Sequence, residues 1–248
     1  MRKMSLVALL ALALVVLSAG VIAAQDKIPL EFGQYVEGEL TNSAYEVKYT
    51  FSGKAGQVVA VEMLPKPGTY DLDPAVILRD SDGDVLGQND DWDYPLSLVV
   101  AELPADEEYT ILATRNGGST GSTEGAYWIR ATLVEPVESG AKLEATIVSD
   151  FEKEVPNIFV LRPTETGDVK LGFSQEVSEL FAAIDLALWE NDSYGGATVM
   201  SMDDTAKVSN ATFTVSLEAG QIYVLTVKRA FGSYVFDDMQ STVTITIN

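Results

Sequence analysis

The chain has 248 residues, with 16 Lys and Arg against 37 Asp and Glu, no histidine and no cysteine. That balance excludes nonspecific nucleic-acid binding, which needs clustered cations against phosphate. The missing residue types also exclude Ser-His-Asp catalysis, the usual zinc ligand sets and disulfide staples.

In chain order, residues 1–24 read as a secretory signal. Arg2 and Lys3 precede an unbroken apolar run from Leu6 to Leu17, small residues follow, and cleavage after Ala24 fits. An uncleaved anchor is the alternative, because residues 5–24 are just long enough to cross a bilayer. Otherwise no membrane contact is expected. Residues 1–24 hold two of the 16 basic side chains and none of the acids, so the remainder carries 14 against 37, a net charge of −23. That suits a secreted or cell-surface protein and cationic partners, Ca²⁺ among them.

Beyond the leader, "YEVKYTF" (45–51), "VVAVEM" (58–63), "AVIL" (75–78), "LSLVVAEL" (96–103), "YTILAT" (109–114) and "YWIRATL" (127–133) alternate or run apolar over strand lengths. "SGKAG" (52–56), "DSDGD" (80–84) and "NGGSTGSTEG" (116–125) punctuate them as turns. Many short strands with such punctuation predict an all-β sandwich or barrel.

The second half replays the first. "SGKAGQVVAVEM" (52–63) aligns with 163–174, "LDPAVILRD" (72–80) with 184–192, "QNDDW" (88–92) with 201–205, and "ELPADEEYTILATR" (102–115) with 216–229. The spacing stays between 111 and 114 residues across the four. Two copies of one domain are expected, 25–134 and 135–248, joined near the acidic "VEPVESG" (134–140).

"DSDGD" is a hairpin signal, and Asp82-Gly83 suits a two-residue type I′ turn. Asp80, Asp82 and Asp84 then decorate the tip as solvated turn residues. Asp71, Asp73, Asp90, Asp91 and Asp93 converge at the hairpin's open end. Carboxylates about 6 Å apart repel by roughly 2–3 kcal/mol at an effective dielectric near 20. They either splay into water or hold a hard cation, for which Ca²⁺ fits an all-oxygen set. In the second copy the same alignment places Asp185 beside Asp203 and Asp204, a weaker candidate. Tyr70, Trp92 and Tyr94 flank the first cluster as candidate ligand contacts, with Trp92 as a lid over the sandwich edge being the alternative.

The run 73–91, with "YEVKYTF", "AGQVVAVEM", "LPADEEYTILA" and "GAYWIRATL", resembles the bacterial pre-peptidase C-terminal (PPC) domain family. The resemblance covers nearly all of the first copy. The second copy lacks the proline after Asp185 and the Asp-Gly turn. The resemblance implies an antiparallel β-sandwich of jelly-roll type, which the internal repeat makes a tandem, and an accessory role without catalysis, in a family whose relatives bind collagen or sugars, some with Ca²⁺. The pair is expected to stand without the peptidase that such domains usually trail.

Two catalytic patterns fail on context. "GGSTG" (117–121) matches a nucleophile elbow, but it lies between strands and no base can activate Ser119. "SGAK" (139–142) falls in the linker. A carboxylate-only glycoside hydrolase needs a cleft and an acid raised by burial, neither expected of exposed acids at a strand end. The expectation is therefore a non-enzymatic protein binding an extracellular polysaccharide or a matrix or surface protein, with Ca²⁺ as its cofactor if it has one. A ligand-free spacer or secretion aid is the alternative.

Overall fold

A computed structural model of the chain describes residues 27–66, 71–92, 95–148, 156–175, 180–189, 197–202, 210–230 and 240–248. The strands of the first half are β1 (Ile28–Pro29), β2 (Val36–Leu40), β3 (Val47–Gly53), β4 (Val58–Pro65), β5 (Pro74–Arg79), β6 (Val85–Asn89), β7 (Ser97–Glu102), β8 (Glu107–Arg115) and β9 (Gly125–Val134). They form two sheets, ordered β1-β3-β8-β5-β6 and β2-β9-β4-β7. The second half supplies β10 (Lys142–Val148), β11 (Asn157–Leu161), β12 (Gly167–Gln175), β13 (Ala182–Leu188), β14 (Ala197–Met202), β15 (Asn210–Leu217), β16 (Tyr223–Arg229) and β17 (Gln240–Ile247). These are ordered β11-β16-β13-β14 and β10-β17-β12-β15. The protein is a tandem of antiparallel β-sandwiches. Strand for strand the two halves have one topology, and β1 runs parallel to β3 as Val137 bridges parallel to Leu161.

The alternation in the sequence becomes the in-and-out pattern of each sheet. In the first sandwich Tyr49, Val61, Val76, Leu78, Val99, Ile111 and Ile129 meet between the sheets. In the second, Leu171, Phe173, Ile184, Leu186, Leu225 and Ile245 do the same. A third apolar layer lies between the halves. Val58, Ala60, Leu98 and Val100, on the outer face of β4 and β7, pack with Val160 and Val224 from β11 and β16. The four sheets thus stack as layers, the halves joined face to face.

The register corrects two expectations. Val76 pairs with Asn89 and Ile77 with Gln88 as expected, but the pairing shifts by one after Leu78. Gly83 N–H donates to Asp80 O (3.2 Å), which makes Ser81 and Asp82 the central residues of the turn. Gly83 follows at φ 91°, and Asp80 N–H closes on Asp84 O (3.0 Å). This is the three-residue loop with a left-handed glycine, not the two-residue type I′ turn. The Asp80 carboxylate accepts the N–H of Asp82 (3.1 Å) and Asp84 (2.8 Å), so it shapes the tip rather than merely decorating it.

The second correction concerns the repeat. Arg115 pairs with Pro74 and Arg229 with Ala182, which sets Val76 on Ile184 and Leu78 on Leu186. The alignment of 72–80 with 184–192 is therefore displaced by four residues. A displacement of four keeps every apolar side chain on its face, so hydropathy alone does not detect it.

Candidate functional site

The acidic rim is built where β5 starts and β6 ends. Asn116 N–H donates to Asp73 O (2.9 Å) and Ser97 Oγ to Pro74 O (2.7 Å), holding the entry to β5. Asn89, buried at 2 % exposure, accepts Leu98 N–H at its Oδ1 (3.0 Å) and ties the end of β6 to β7. Asp90 and Asp91 follow directly and come within electrostatic reach of Asp73.

Asp73 and Asp90 are half-buried, and the Oδ1 of each is buried without a hydrogen-bond partner. Burial pushes the Asp73 carboxyl above its ordinary value, the Asp91 charge adds to this, and a hydrogen bond to the Asn116 side chain opposes it. Burial likewise raises Asp90, with Asp91 and then Asp73 contributing like charge. The expectation that acids at this strand end stay exposed and unshifted fails for these two. Asp71 is exposed on the preceding turn. Asp93, Tyr70, Tyr94, Asp203 and Asp204 lie outside the described residues.

The rim's donor chemistry is that of a hard-cation site, all carboxylate oxygen with two buried oxygens lacking donors. Among the described residues, however, no three acidic side chains stand at metal-ligand spacing. Asp73, Asp90 and Asp91 would supply a minority of the six to eight oxygens that Ca²⁺ takes.

In the second half Asp185 pairs with Ser201 and Thr226, the place that Ile77 holds between Gln88 and Leu112 in the first. It is a mid-strand residue whose carboxylate accepts the Ser201 hydroxyl, and it is not the counterpart of Asp73. Trp92 turns away from solvent. Its indole N–H donates to Thr226 Oγ1 (3.3 Å) and its ring packs on Trp189 of the second sandwich.

One polar cluster was not singled out from the sequence. Glu62 on β4, only 1 % exposed, takes Arg130 Nε at 2.6 Å and Nη2 at 2.5 Å on its Oε2. Arg130 lies 4.3 Å from the Tyr35 ring centroid. Burial pushes the Glu62 carboxyl up while Arg130 and Tyr35 pull it down. Glu62 Oε1 and Tyr35 Oη are both buried, with the Tyr35 hydroxyl close enough to the carboxylate to favour its ionised form. The cluster lines a cleft of about 310 Å³ between the halves, walled by Thr132 on one side and Asn157 and Phe159 on the other. The only sequence signal is Glu62 standing inside an otherwise apolar strand.

No family model matches the chain, and no curated protein does. Among solved structures, it is similar to the tandem CBM51 modules of a family 98 glycoside hydrolase from Streptococcus pneumoniae. That match has 10% identity and a TM-score of 0.25, and covers 88% of this chain and 85% of that one. It is similar also to the M60 catalytic domain with two CBM51 domains of Clostridium perfringens ZmpB, at 10% identity and TM-score 0.26, covering 88% and 38%. The CUB1-EGF-CUB2 portion of human MASP-1/3 matches at 9% identity and TM-score 0.24, covering 86% and 99%. At these scores the likenesses say nothing about a ligand. No helix among the described residues is long and apolar enough to cross a membrane.

Proposed function

We propose that this chain is an exported, non-catalytic binding protein whose first sandwich engages an extracellular polymer or a cell-surface partner, with Ca²⁺ drawing Asp73, Asp90 and Asp91, which do not stand at ligand spacing without it, together at the rim. The observation that supports this reading is the pair of buried carboxylate oxygens without donors, on two aspartates whose ionised forms are penalised by burial and by Asp91. A cation satisfies both oxygens and reverses the like-charge penalty at once. The aspartate-rich pattern from 73 to 91 that resembles the pre-peptidase C-terminal family supports the accessory role. When bound, the ion supplies charge compensation. Asp73 and Asp90 hold it and Asn89 keeps the loop end in place.

The test is thermal unfolding of the mature chain in chelator and in millimolar Ca²⁺. A site filled at a hundred times its Kd adds about 2.7 kcal/mol. Superimposable transitions in the two conditions end the calcium part of the proposal. Retention on an immobilised panel of glycans and matrix proteins tests the binding part separately.

A second reading draws on the joint. Six fully or nearly buried apolar side chains cement the halves face to face. A rigid spacer without a ligand needs such a joint, and an empty binding panel favours it.

A further inference from the structure

Asn116-Gly117 is the one Asn-Gly pair in the chain. It follows β8 directly and stands beside the acidic rim. Asn116 N–H donates to Asp73 O (2.9 Å), and its side-chain amide donates to the Asp73 carboxylate. Both residues of the pair are exposed. Gly117 is left-handed, at φ 75° and ψ −3°. Its carbonyl accepts Thr120 N–H (2.9 Å) and the Thr120 hydroxyl (2.8 Å). Its own N–H has no acceptor among the described residues.

The chain beyond the pair is anchored separately. Buried Arg115 donates from Nε to Gly118 O (3.0 Å) and from Nη1 to Thr123 O (2.8 Å). A covalent change confined to Asn116 and Gly117 therefore leaves the following turn held.

An asparagine side chain is open to attack by the next backbone nitrogen when that nitrogen is free and its residue bends easily. Glycine meets the second condition, since no Cβ hinders the approach. The other asparagines at this end of the sandwich are guarded. Asn42 is followed by Ser43, and its Oδ1 accepts Arg115 Nη1 (2.8 Å). Asn89 is followed by Asp90, is buried, and accepts Leu98 N–H at its Oδ1 (3.0 Å).

We infer that Asn116 is a site of self-modification, deamidating in the folded protein and adding a carboxylate to the rim. The Gly117 nitrogen gives up its proton and bonds to Asn116 Cγ. The Cγ–Nδ2 bond breaks, and Nδ2 leaves as ammonia with that proton. Water then opens the cyclic imide at either carbonyl, breaking its bond to the Gly117 nitrogen and returning the N–H. The products are aspartate or isoaspartate at residue 116, with one water consumed and no change of oxidation state. The amide that donated to Asp73 is then an acid facing it, and like charges this close repel.

The experiment incubates the full exported chain at neutral pH in chelator, folded and in urea, and reads residue 116 by peptide mass. The folded chain should convert at a rate within about tenfold of the unfolded one, because an exposed loop opens at almost no free-energy cost. Asn42 and Asn89 should lag behind it in the folded chain. Asn116→Gln keeps the donor, but its longer side chain closes a ring far more slowly. That variant should stay unmodified and melt with the fresh parent. The aged parent and Asn116→Asp should both melt lower. An Asn116 amide that stays intact in the folded chain overturns the inference. So does earlier conversion of Asn42 or Asn89, or an aged protein that melts with the fresh one. The outcome does not depend on calcium at the rim, since chelator is present throughout.

Discussion

Trp92 of the first sandwich and Trp189 of the second pack ring against ring across the joint, 5.5 Å between centroids with 38° between planes. Each ring belongs to its own half, yet each lies in the apolar layer that neither half completes alone. The two sandwiches therefore should unfold together, because opening the joint exposes Val58, Leu98, Val160 and Val224 at once. Truncating a fully buried Trp costs about 3–5 kcal/mol, and half-buried Trp92 should cost less, about 1–3 kcal/mol. In Trp92→Ala a single calorimetric transition should broaden or split into two. A sharp single transition in that variant, unshifted from the parent, contradicts the coupling.

The sequence carried more of this joint than its second copy alone suggests. "VVAVEM" and "LSLVVAEL" run apolar without alternation, the mark of strands covered on both faces. By register Val61 stands on Leu171 and Val99 on Phe213, which puts Asp168, Lys170, Thr212 and Thr214 where the joint has Val58, Ala60, Leu98 and Val100. The second copy alternates because its matching face meets water. The strands and the duplication were legible because hydropathy of period two is local. The placement of Asp185 was not, because a slide of four residues preserves that period. Nor was Trp92's direction legible, since an aromatic beside acids reads equally as a ligand contact or a lid over its own sandwich, and neither names the second sandwich on which it packs. The Glu62 cluster depends on a domain partner that no local pattern reports.

Removing the repulsion at the rim should stabilise the protein. Asp73 and Asp90 have carboxyls raised in the folded state, so the fold holds their protons more tightly than the unfolded chain does. Stability from these groups is present at low pH and is lost as pH rises through their folded values. Asp90→Asn should raise the melting temperature at neutral pH. It should also flatten the rise in stability on acidification just above the ordinary carboxylate range. If the rim binds Ca²⁺, the same variant should lose its response to the ion. A variant that melts lower at neutral pH without calcium would refute the repulsion argument.

The Glu62–Arg130 pair predicts an asymmetry between breaking and replacing. Glu62 is buried and Arg130 is one-quarter exposed, so Arg130→Met strands a carboxylate beneath the second sandwich. Breaking such a pair costs about 3–5 kcal/mol, whereas replacing both partners with apolar groups is often neutral or stabilising. Glu62→Leu with Arg130→Met should recover most of the loss in urea unfolding, less what the Tyr35 hydroxyl contributes to the carboxylate. A double variant as unstable as the single one would show that the ion pair contributes net stability.

Gly38 on β2 lies opposite Tyr127 on β9, and the tyrosine ring covers the glycine. A Cβ at residue 38 would stand 2.3 Å from Tyr127 Cζ, inside any tolerable contact. The ring has little room to retreat, being fully buried with its hydroxyl bonded to that of Tyr49 at 2.9 Å. Overpacking costs about 1–3 kcal/mol and a lost buried hydrogen bond about 1 kcal/mol more, so Gly38→Ala should destabilise by about 2–4 kcal/mol. A double-mutant cycle separates the clash from any loss of backbone freedom. On a Tyr127→Leu background the ring is gone, and Gly38→Ala should cost less than about 0.5 kcal/mol, because the two changes act through one contact. Equal costs on both backgrounds would mean that the glycine is needed for its own backbone and not for the ring above it.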